Sequence, residues 1–296
     1  MRHLLTCLLL CLSLLPNAHA ERLQVVASFS ILADLCREIG GDRVDVRSLI
    51  EPGGDAHSFQ PSPADARAVA NADLVLINGL GFEGWIERLL ESTGRRGELV
   101  VASDGARLIE STADEHEGDA HGLDPHAWQD LSNARIYVRN IAMALARADL
   151  DGASAYLGRY RTYSARLQAL DMRFQARFAS LPEDRRRVVS SHDAFAYLGR
   201  AYGLEFVAPV GRSGGAHPSA ARLAALIREI RERRVSAAFV ENIADTRLIE
   251  QIQRETGARI GGTLYSDSLS PVGGEAASYL EMMTHNLETL ADALKE

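Results

Sequence analysis

Residues 156–174 read YLGRYRTYSARLQALDMRF, and this stretch decides the architecture of the chain. Its large apolar residues recur at spacings of three and four, which places them on one face of a helix. They are Tyr156, Tyr160, Tyr163, Leu167, Leu170 and Phe174. We predict a helical region over about residues 133–180, ended by Pro182, because proline cannot continue a helix. One long helix and two shorter helices with a break near Asp151 and Gly152 both fit the pattern.

The sequence before this region alternates short apolar runs with amphipathic segments. The strand-like runs are residues 23–28, 44–50, 74–78 and 99–103, and the helix-like segments between them are residues 31–39, 63–71 and 84–91. Alternating strands and helices form parallel sheets with right-handed crossovers. We therefore predict a first α/β lobe over residues 21–132.

The same alternation returns after the helical region. Strand-like runs cover residues 187–191, 205–210, 237–241 and 259–264, and helix-like segments cover residues 193–202, 219–233, 245–256 and 275–294. The fold class is therefore α/β, with two lobes that each hold a small parallel sheet flanked by helices. The second lobe takes residues 183–296, and the connecting helical region, residues 133–182, lies along both lobes as a stiff element.

The N-terminus has the composition of a cleavable secretory signal peptide. Basic Arg2 precedes an apolar run over residues 4–15, and small residues end the segment at Ala20. The run is too short for a membrane span, which needs about 20 apolar residues. No small-residue lipobox precedes Cys7 or Cys11, so we predict a signal peptide over residues 1–20 and a periplasmic product. Cys36 is then the only cysteine left, which excludes an intramolecular disulfide.

The overall charge gives no support to nucleic-acid binding. The chain has a formal net charge of −8 and few basic clusters, so it offers no surface for nucleic acid. We expect a monomer.

Three histidines and one aspartate follow strand-like runs that lie far apart in the sequence. They are His57, His126, His192 and Asp267. Loops that follow parallel strands gather at one edge of the sheet, where ligands bind in α/β proteins. Three imidazoles and one carboxylate form a tetrahedral shell for Zn²⁺. The spacing therefore permits a shared metal site, and the local sequences decide whether one exists.

The local sequences share turn-forming Gly, Pro, Asp and Ser residues beside each of these four side chains. They read EPGGDAHSFQPSP at residues 51–63, LDPHAWQDLSN at 123–133, VVSSHDAFAYLGRAYGL at 188–204 and GGTLYSDSLSPVGG at 261–274. Together and in this order, they resemble the zinc- and manganese-binding solute-binding proteins of bacterial ABC importers, the cluster A-I family. The resemblance covers essentially the whole chain after residue 20.

The resemblance implies two α/β lobes joined by one long rigid helix, with the metal between the lobes. It also implies ligand roles for His57, His126, His192 and Asp267, and an ABC transporter membrane permease as partner. A periplasmic metallochaperone as a second partner stays open. Manganese-binding relatives place a glutamate where this chain has His192, and three nitrogens with one oxygen favour Zn²⁺ over Mn²⁺. We predict high-affinity zinc capture, with manganese as the alternative.

Several residues near the four predicted ligands have competing interpretations. Asp124 and Asp193 are candidates to orient an imidazole, and Asp193 is also a candidate helix N-cap. Glu241 follows a predicted strand and is a candidate to reach the cleft, although we favour a structural role. His217 is the main competitor for a coordination role, against a position in a surface loop.

An acidic, histidine-containing segment precedes His126. Residues 111–122 read STADEHEGDAHG and lack any large apolar side chain, so they cannot bury enough surface to order themselves. His116 and His121 either form an accessory metal loop or belong to a solvated linker.

An enzyme is the rival class of function. Catalytic zinc keeps an open coordination position for water, whereas four protein ligands close the shell. No H-E-x-x-H motif or nucleophile elbow is present, so we predict that the chain is not a zinc hydrolase or any other enzyme. A surface adhesin on the same scaffold is a third reading, and the missing lipidation cysteine speaks against it.

Overall fold

The computed structural model describes residues 21–110, 122–212, 218–233, 235, 237–243 and 246–295. Within these ranges the chain forms two four-stranded sheets. The predicted signal peptide lies outside the described residues. None of the helices in these ranges combines the length and the apolar composition needed to span a membrane.

The first lobe is built on a parallel sheet of order β2-β1-β3-β4. Its strands are β1 (Leu23–Phe29), β2 (Val44–Ile50), β3 (Leu74–Ile77) and β4 (Glu98–Val101). Its helices are α1 (Ser30–Gly40), α2 (Pro63–Asn71) and α3 (Ile86–Thr93). The central strands β1 and β3 are almost wholly buried, as expected for a parallel sheet covered on both faces.

The second lobe repeats this arrangement with the parallel order β6-β5-β7-β8. Its strands are β5 (Arg187–Val189), β6 (Glu205–Val207), β7 (Ala237–Glu241) and β8 (Arg259–Leu264). Its helices are α6 (Ala196–Tyr202), α7 (Ala220–Glu232), α8 (Thr246–Thr256) and α9 (Tyr279–Ala293). The predicted fold class is confirmed, although β5 and β6 are two to three residues shorter than their apolar runs.

Two helices connect the lobes, so the alternative with a break is the one that the structure shows. Helix α4 (Leu131–Ala148) ends at Asp149, and α5 (Ala153–Ala179) begins after Gly152. The Asp149 carboxylate accepts hydrogen bonds from the Gly152 amide at 3.0 Å and from Arg43 at 2.7 Å. These bonds compete with helical backbone pairing. A Cβ at position 152 would lie 2.3 Å from the Asp149 carboxylate and 2.4 Å from Arg43 Nε, so a larger residue there would displace this ion pair.

Helix α5 still acts as the connecting element that the periodicity predicted. Its 27 residues span about 40 Å at 1.5 Å per residue. It contacts α1 of the first lobe and both α6 and α9 of the second. The predicted apolar face is buried except at Tyr160, which is partly buried. One hydrophobic core therefore runs through both lobes, and a smaller cluster lies under α7 and α8.

Candidate metal centre

The structure brings His57, His126, His192 and Asp267 together in one cluster between the two lobes. His57 follows β2 and His126 follows β4, whereas His192 follows β5 and Asp267 follows β8. One ligand atom from each side chain lies within 4.8 Å of the corresponding atoms of the other three. Each lobe thus contributes two side chains, all from loops at the carboxyl ends of strands.

The distances within this cluster suit a single small cation. Asp267 Oδ2 lies 3.3 Å from His57 Nε2 and 3.3 Å from His192 Nε2, and Asp267 Oδ1 lies 3.6 Å from His126 Nε2. The edge of a tetrahedral zinc shell is about 3.4 Å when the metal–ligand bonds are about 2.1 Å. The spacing therefore requires little rearrangement to surround an ion.

Burial shows which side of the cluster faces solvent. His126, His192 and Asp267 are buried, and the side chain of His57 is 10% exposed. Within the described part of the chain, His126 Nε2, His192 Nε2 and Asp267 Oδ1 are buried without a hydrogen-bond partner. Buried polar atoms normally find partners, so three orphaned atoms that converge on one point fit a coordinated cation. His57 is therefore the member of the cluster nearest to solvent.

The charges of the cluster shift the pKa of its members in opposite directions. Burial opposes a charged Asp267, but His192 and His126 outweigh it and hold the pKa of that carboxyl well below its usual range. Burial likewise opposes a charged His192, but Glu241 and Asp267 raise its pKa well above the ordinary value. The pKa of His126 is raised in the same way by Asp267 and Asp124. Metal binding to this cluster must therefore displace protons.

Carboxylates behind two of the histidines fix the orientation of the rings. His126 Nδ1 lies 2.8 Å from Asp124 Oδ1, which also accepts the His126 backbone N–H at 2.9 Å. His192 Nδ1 lies 2.5 Å from Glu241 Oε2, and Glu241 Oε1 accepts the His192 backbone N–H at 2.8 Å. A carboxylate at Nδ1 leaves Nε2 as the metal-binding atom and increases its basicity. Asp124 thus has the orienting position proposed for it.

Glu241 reaches the metal cluster, which is the interpretation that the sequence favoured less. Glu241 is the last residue of β7, the strand next to β5, and its side chain is buried against His192. The sequence held the signal for this position, since a carboxylate at the carboxyl end of a central parallel strand points to the ligand edge of the sheet.

Asp193 does not cap the helix that follows it. Helix α6 begins at Ala196 with Phe195 in the N-cap position and without a side-chain capping bond. Asp193 lies too far upstream to cap that helix. Its carboxylate instead lies 3.3 Å from Arg212 Nε.

Residues of the first lobe hold the loop that carries Asp267. Trp128 Nε1 and Gln129 Nε2 both donate to the Ser266 carbonyl oxygen, at 3.0 and 2.8 Å. The Gly53 amide, on the loop that leads to His57, donates to the Leu269 carbonyl at 3.1 Å. The two loops that bring His57 and Asp267 are therefore joined directly, across the boundary between the lobes.

A tight loop after β3 positions Phe82 beside His57 of the cluster. Gly79, Leu80 and Gly81 all have positive φ angles of 60–80°, and Leu80 is the non-glycine residue among them. The buried Glu83 carboxylate holds this loop by accepting the amides of Asn78 and Gly79 at 2.6 and 3.1 Å. Phe82 directly follows Gly81, and as a result its ring centroid lies 5.4 Å from the centroid of the His57 ring. The alternation of strands and helices in the sequence does not predict this loop.

Three histidines named from the sequence lie outside the described residues. They are His116 and His121 of the acidic segment, and His217.

Comparison with known proteins agrees with the fold and with a metal-binding role. The family model of the zinc-uptake complex component A, periplasmic, matches residues 25–293. The chain is 32% identical to the manganese-binding lipoprotein MntA of Halalkalibacterium halodurans, covering 93% of this chain and 90% of that protein. It is 33% identical to the iron-binding protein YfeA of Yersinia pestis, over 93% of this chain and 88% of the relative.

Solved structures show the same architecture. The manganese-bound periplasmic metal-binding protein of Candidatus Liberibacter asiaticus superposes with a TM-score of 0.82 at 31% identity, covering 93% of this chain and 100% of that one. The periplasmic zinc-binding protein TroA of Treponema pallidum gives a TM-score of 0.84 at 28% identity, with 93% and 99% coverage.

The fold and the cluster define a metal-binding solute-binding protein of an ABC transporter. More specifically, the chain belongs to the family of the periplasmic component A of zinc-uptake complexes. Members are substrate-binding components and not enzymes, so the predicted absence of catalysis is confirmed. Membership also places the protein outside the cytoplasm and implies a membrane permease with its ATPase as partner. The relatives named above bind manganese, iron or zinc, and the chain binds a divalent metal.

Proposed function

We propose that this protein captures Zn²⁺ with His57, His126, His192 and Asp267 and delivers it to an ABC importer. One observation carries the proposal: three imidazole Nε2 atoms and one carboxylate converge within 4.8 Å, with orphaned buried atoms aimed at their centre. Nitrogen-rich donor sets suit zinc, whereas manganese prefers oxygen donors.

The manganese alternative rests on a specific observation at Asp267. Both of its carboxylate oxygens face histidine ring nitrogens, at 3.3 and 3.6 Å. Binding through both oxygens gives a fifth donor and a second hard one, which moves the site toward manganese. The choice between one and two oxygens therefore decides how strongly the protein prefers zinc.

Capture and release follow from where the four side chains come from. Two belong to each lobe, and helix α5 runs along both lobes as a stiff element. Wide rotation of one lobe against the other would have to break the core that they share. Release then depends on local movement of the loop that carries His57, the partly exposed member, when the protein docks on the permease.

The proposed function also includes assignments for the N-terminus, the oligomeric state and the acidic segment. A signal peptide ending at Ala20 is cleaved, the mature protein is a periplasmic monomer, and the segment with His116 and His121 serves as an accessory metal loop. Deletion of residues 112–121 should leave the high-affinity site intact and either slow its loading or remove a weaker second site. Unchanged stoichiometry and loading kinetics would contradict this role for the segment.

The site is tested by zinc titration of the parent protein and of His192→Ala, followed by melting temperature. At a hundredfold excess over Kd, zinc should stabilise the parent by about 2.7 kcal/mol. That stabilisation corresponds to about 5–10 °C for a protein of this size class. The shift should be lost in His192→Ala.

His285→Ala is the matched control for this titration. It removes a histidine that bonds the Thr263 carbonyl on the flank of the second lobe, outside the cluster. An equal zinc-induced shift in the parent and in His192→Ala would refute the proposed site. Competition between zinc and manganese on the parent separates the two candidate metals.

A further inference from the structure

Arg212 is a buried cation at the boundary between the lobes, close to the metal cluster. Its relative exposure is 5%, and among the described residues it is the one arginine in the buried class. The chain before it is fixed beside His192, because Val210 forms a parallel bridge with His192 and its carbonyl accepts the Asp193 amide at 3.1 Å. The guanidinium is therefore held next to a predicted ligand segment.

Two carboxylates from different lobes meet this guanidinium. Arg212 Nε lies 3.3 Å from Asp193 Oδ2 and 3.7 Å from Asp124 Oδ2. Asp124 belongs to the first lobe, and its other oxygen, Oδ1, accepts from His126 Nδ1. The Asp124 carboxylate therefore lies between Arg212 and the His126 ring, with an ionic contact to the first and a hydrogen bond to the second.

The charges around the cluster show why a buried arginine is tolerated there. Guanidinium stays protonated in proteins, and a buried charge is strongly unfavourable unless it is paired. The buried carboxyl groups of Asp124, Glu241 and Asp267 surround the cluster, and Asp193 pairs with Arg212 at 3.3 Å, so the guanidinium lies among groups of opposite charge.

We propose that Arg212 is a positioning residue for metal binding. It holds Asp124 in the orientation that fixes the His126 ring, and so tightens the site without touching the metal. This inference rests on the proposed function, since it assumes that His126 is a ligand. The positive charge alone would repel a cation, so tighter binding in the presence of Arg212 reports its positioning effect.

Four variants separate positioning from charge: Arg212→Gln, Arg212→Lys, Asp124→Asn and the Arg212→Gln/Asp124→Asn double variant. Loss of a group that orients a metal-binding histidine weakens metal affinity about 10- to 100-fold. We expect about a tenfold loss of zinc affinity in Arg212→Gln, measured by competition with a chelating indicator. Arg212→Lys should recover part of it. When Asp124 is already Asn, the Arg212→Gln change should add little, because Arg212 acts through that carboxylate.

A control variant and the spectrum of bound Co²⁺ accompany these affinity measurements. Arg233→Gln removes an exposed arginine that pairs with Glu205, and it should keep the parent affinity. The visible absorption of bound Co²⁺ reports ligand geometry, and it should change in both Arg212 variants. If Arg212→Gln does not fold, Arg212→Lys carries the test with the same two readouts.

Three results would overturn the inference: unchanged or tighter zinc binding in Arg212→Gln, losses that add in the double variant, or a parent-like Co²⁺ spectrum in both Arg212 variants. The parent titration distinguishes this outcome from failure of the proposed function. A parent that does not bind zinc refutes the site itself, whereas a parent that binds while Arg212→Gln behaves identically refutes only the role of Arg212.

Discussion

At the scale of single residues, His126 and His192 each use both ring nitrogens. Nδ1 of each ring faces a carboxylate, Asp124 or Glu241, and Nε2 points into the cluster. The buried carboxylates therefore fix the orientation of both rings before any metal arrives, with Nε2 as the nitrogen that gives up its proton to the metal. Little conformational entropy is then lost on binding, since the rings are already oriented.

Glu241→Gln should weaken zinc affinity about 10- to 100-fold, because the neutral amide orients His192 but no longer increases the basicity of its Nε2. The measurement is a competition titration with a chelator of known affinity. Glu288→Gln is a matched control, since Glu288 pairs with Arg173 on the surface. Equal affinities of Glu241→Gln and parent would show that Glu241 only packs against His192.

The raised pKa of His192 and His126 gives the site a defined pH dependence. The ion pairs that raise these pKa values stabilise the metal-free fold fully below about pH 6.5, the ordinary histidine value. That contribution is lost as pH rises through the raised values. Zinc needs neutral imidazoles, so its affinity falls as pH decreases.

The zinc-induced rise in melting temperature should therefore be larger at about pH 8 than at about pH 6. A melting series with and without zinc across this range measures it, and the lowered pKa of Asp267 keeps that carboxylate ionised throughout. A zinc increment that does not vary with pH would contradict the coupling between protons and metal.

At the scale of elements, the loop after β3 supports the site through backbone conformation. Gly79 has a φ of +80°, and a Cβ at this position would lie 2.7 Å from Val101 Cγ1. Leu80 also has positive φ, which is unfavourable for a side chain with a Cβ. The hydrogen bonds of Glu83 to the loop offset this strain.

Gly79→Ala should destabilise the protein by about 1–3 kcal/mol, because it adds overpacking to a left-handed backbone position. Thermal or denaturant unfolding measures the change. Gly84→Ala is the control within the same segment, since a Cβ there meets nothing within 4 Å. Similar destabilisation by both substitutions would mean that the loop does not depend on the conformation of Gly79.

The elements also show how far sequence reasoning reaches. Hydrophobic periodicity predicted every strand and the buried face of α5, because those signals depend on local patterns of burial. The periodicity did not decide between one long helix and two shorter ones. The break between α4 and α5 depends on the contact of Asp149 with Arg43, which is more than 100 residues away in sequence. The sequence places Glu241 at the carboxyl end of a strand, but its contact with His192 depends on the adjacency of β7 and β5, which no local pattern contains.

At the scale of the whole molecule, the metal lies where the two lobes meet. Hydrogen bonds already cross this boundary, from Gly53 to Leu269 and from Trp128 to Ser266. A metal with two ligands from each lobe adds a cross-link at the same place. Binding should therefore stabilise the boundary more than the outer parts of the lobes.

Zinc should slow amide hydrogen exchange at Gly53 and Leu269, whose N–H groups bond across the boundary. Exchange in helices α7 and α8 should change little, because they pack on the separate cluster of the second lobe. Exchange measured by mass spectrometry with and without zinc tests this. Equal protection throughout the chain would mean that zinc acts on global stability alone.

The central claim is that His57, His126, His192 and Asp267 together bind the metal. Anomalous diffraction at the zinc absorption edge from zinc-loaded crystals tests it most directly. We expect one strong anomalous peak for a zinc ion that lies about 2.0–2.2 Å from the three Nε2 atoms and from the Asp267 carboxylate. A peak elsewhere, or one that lacks any of these four ligands, would contradict it.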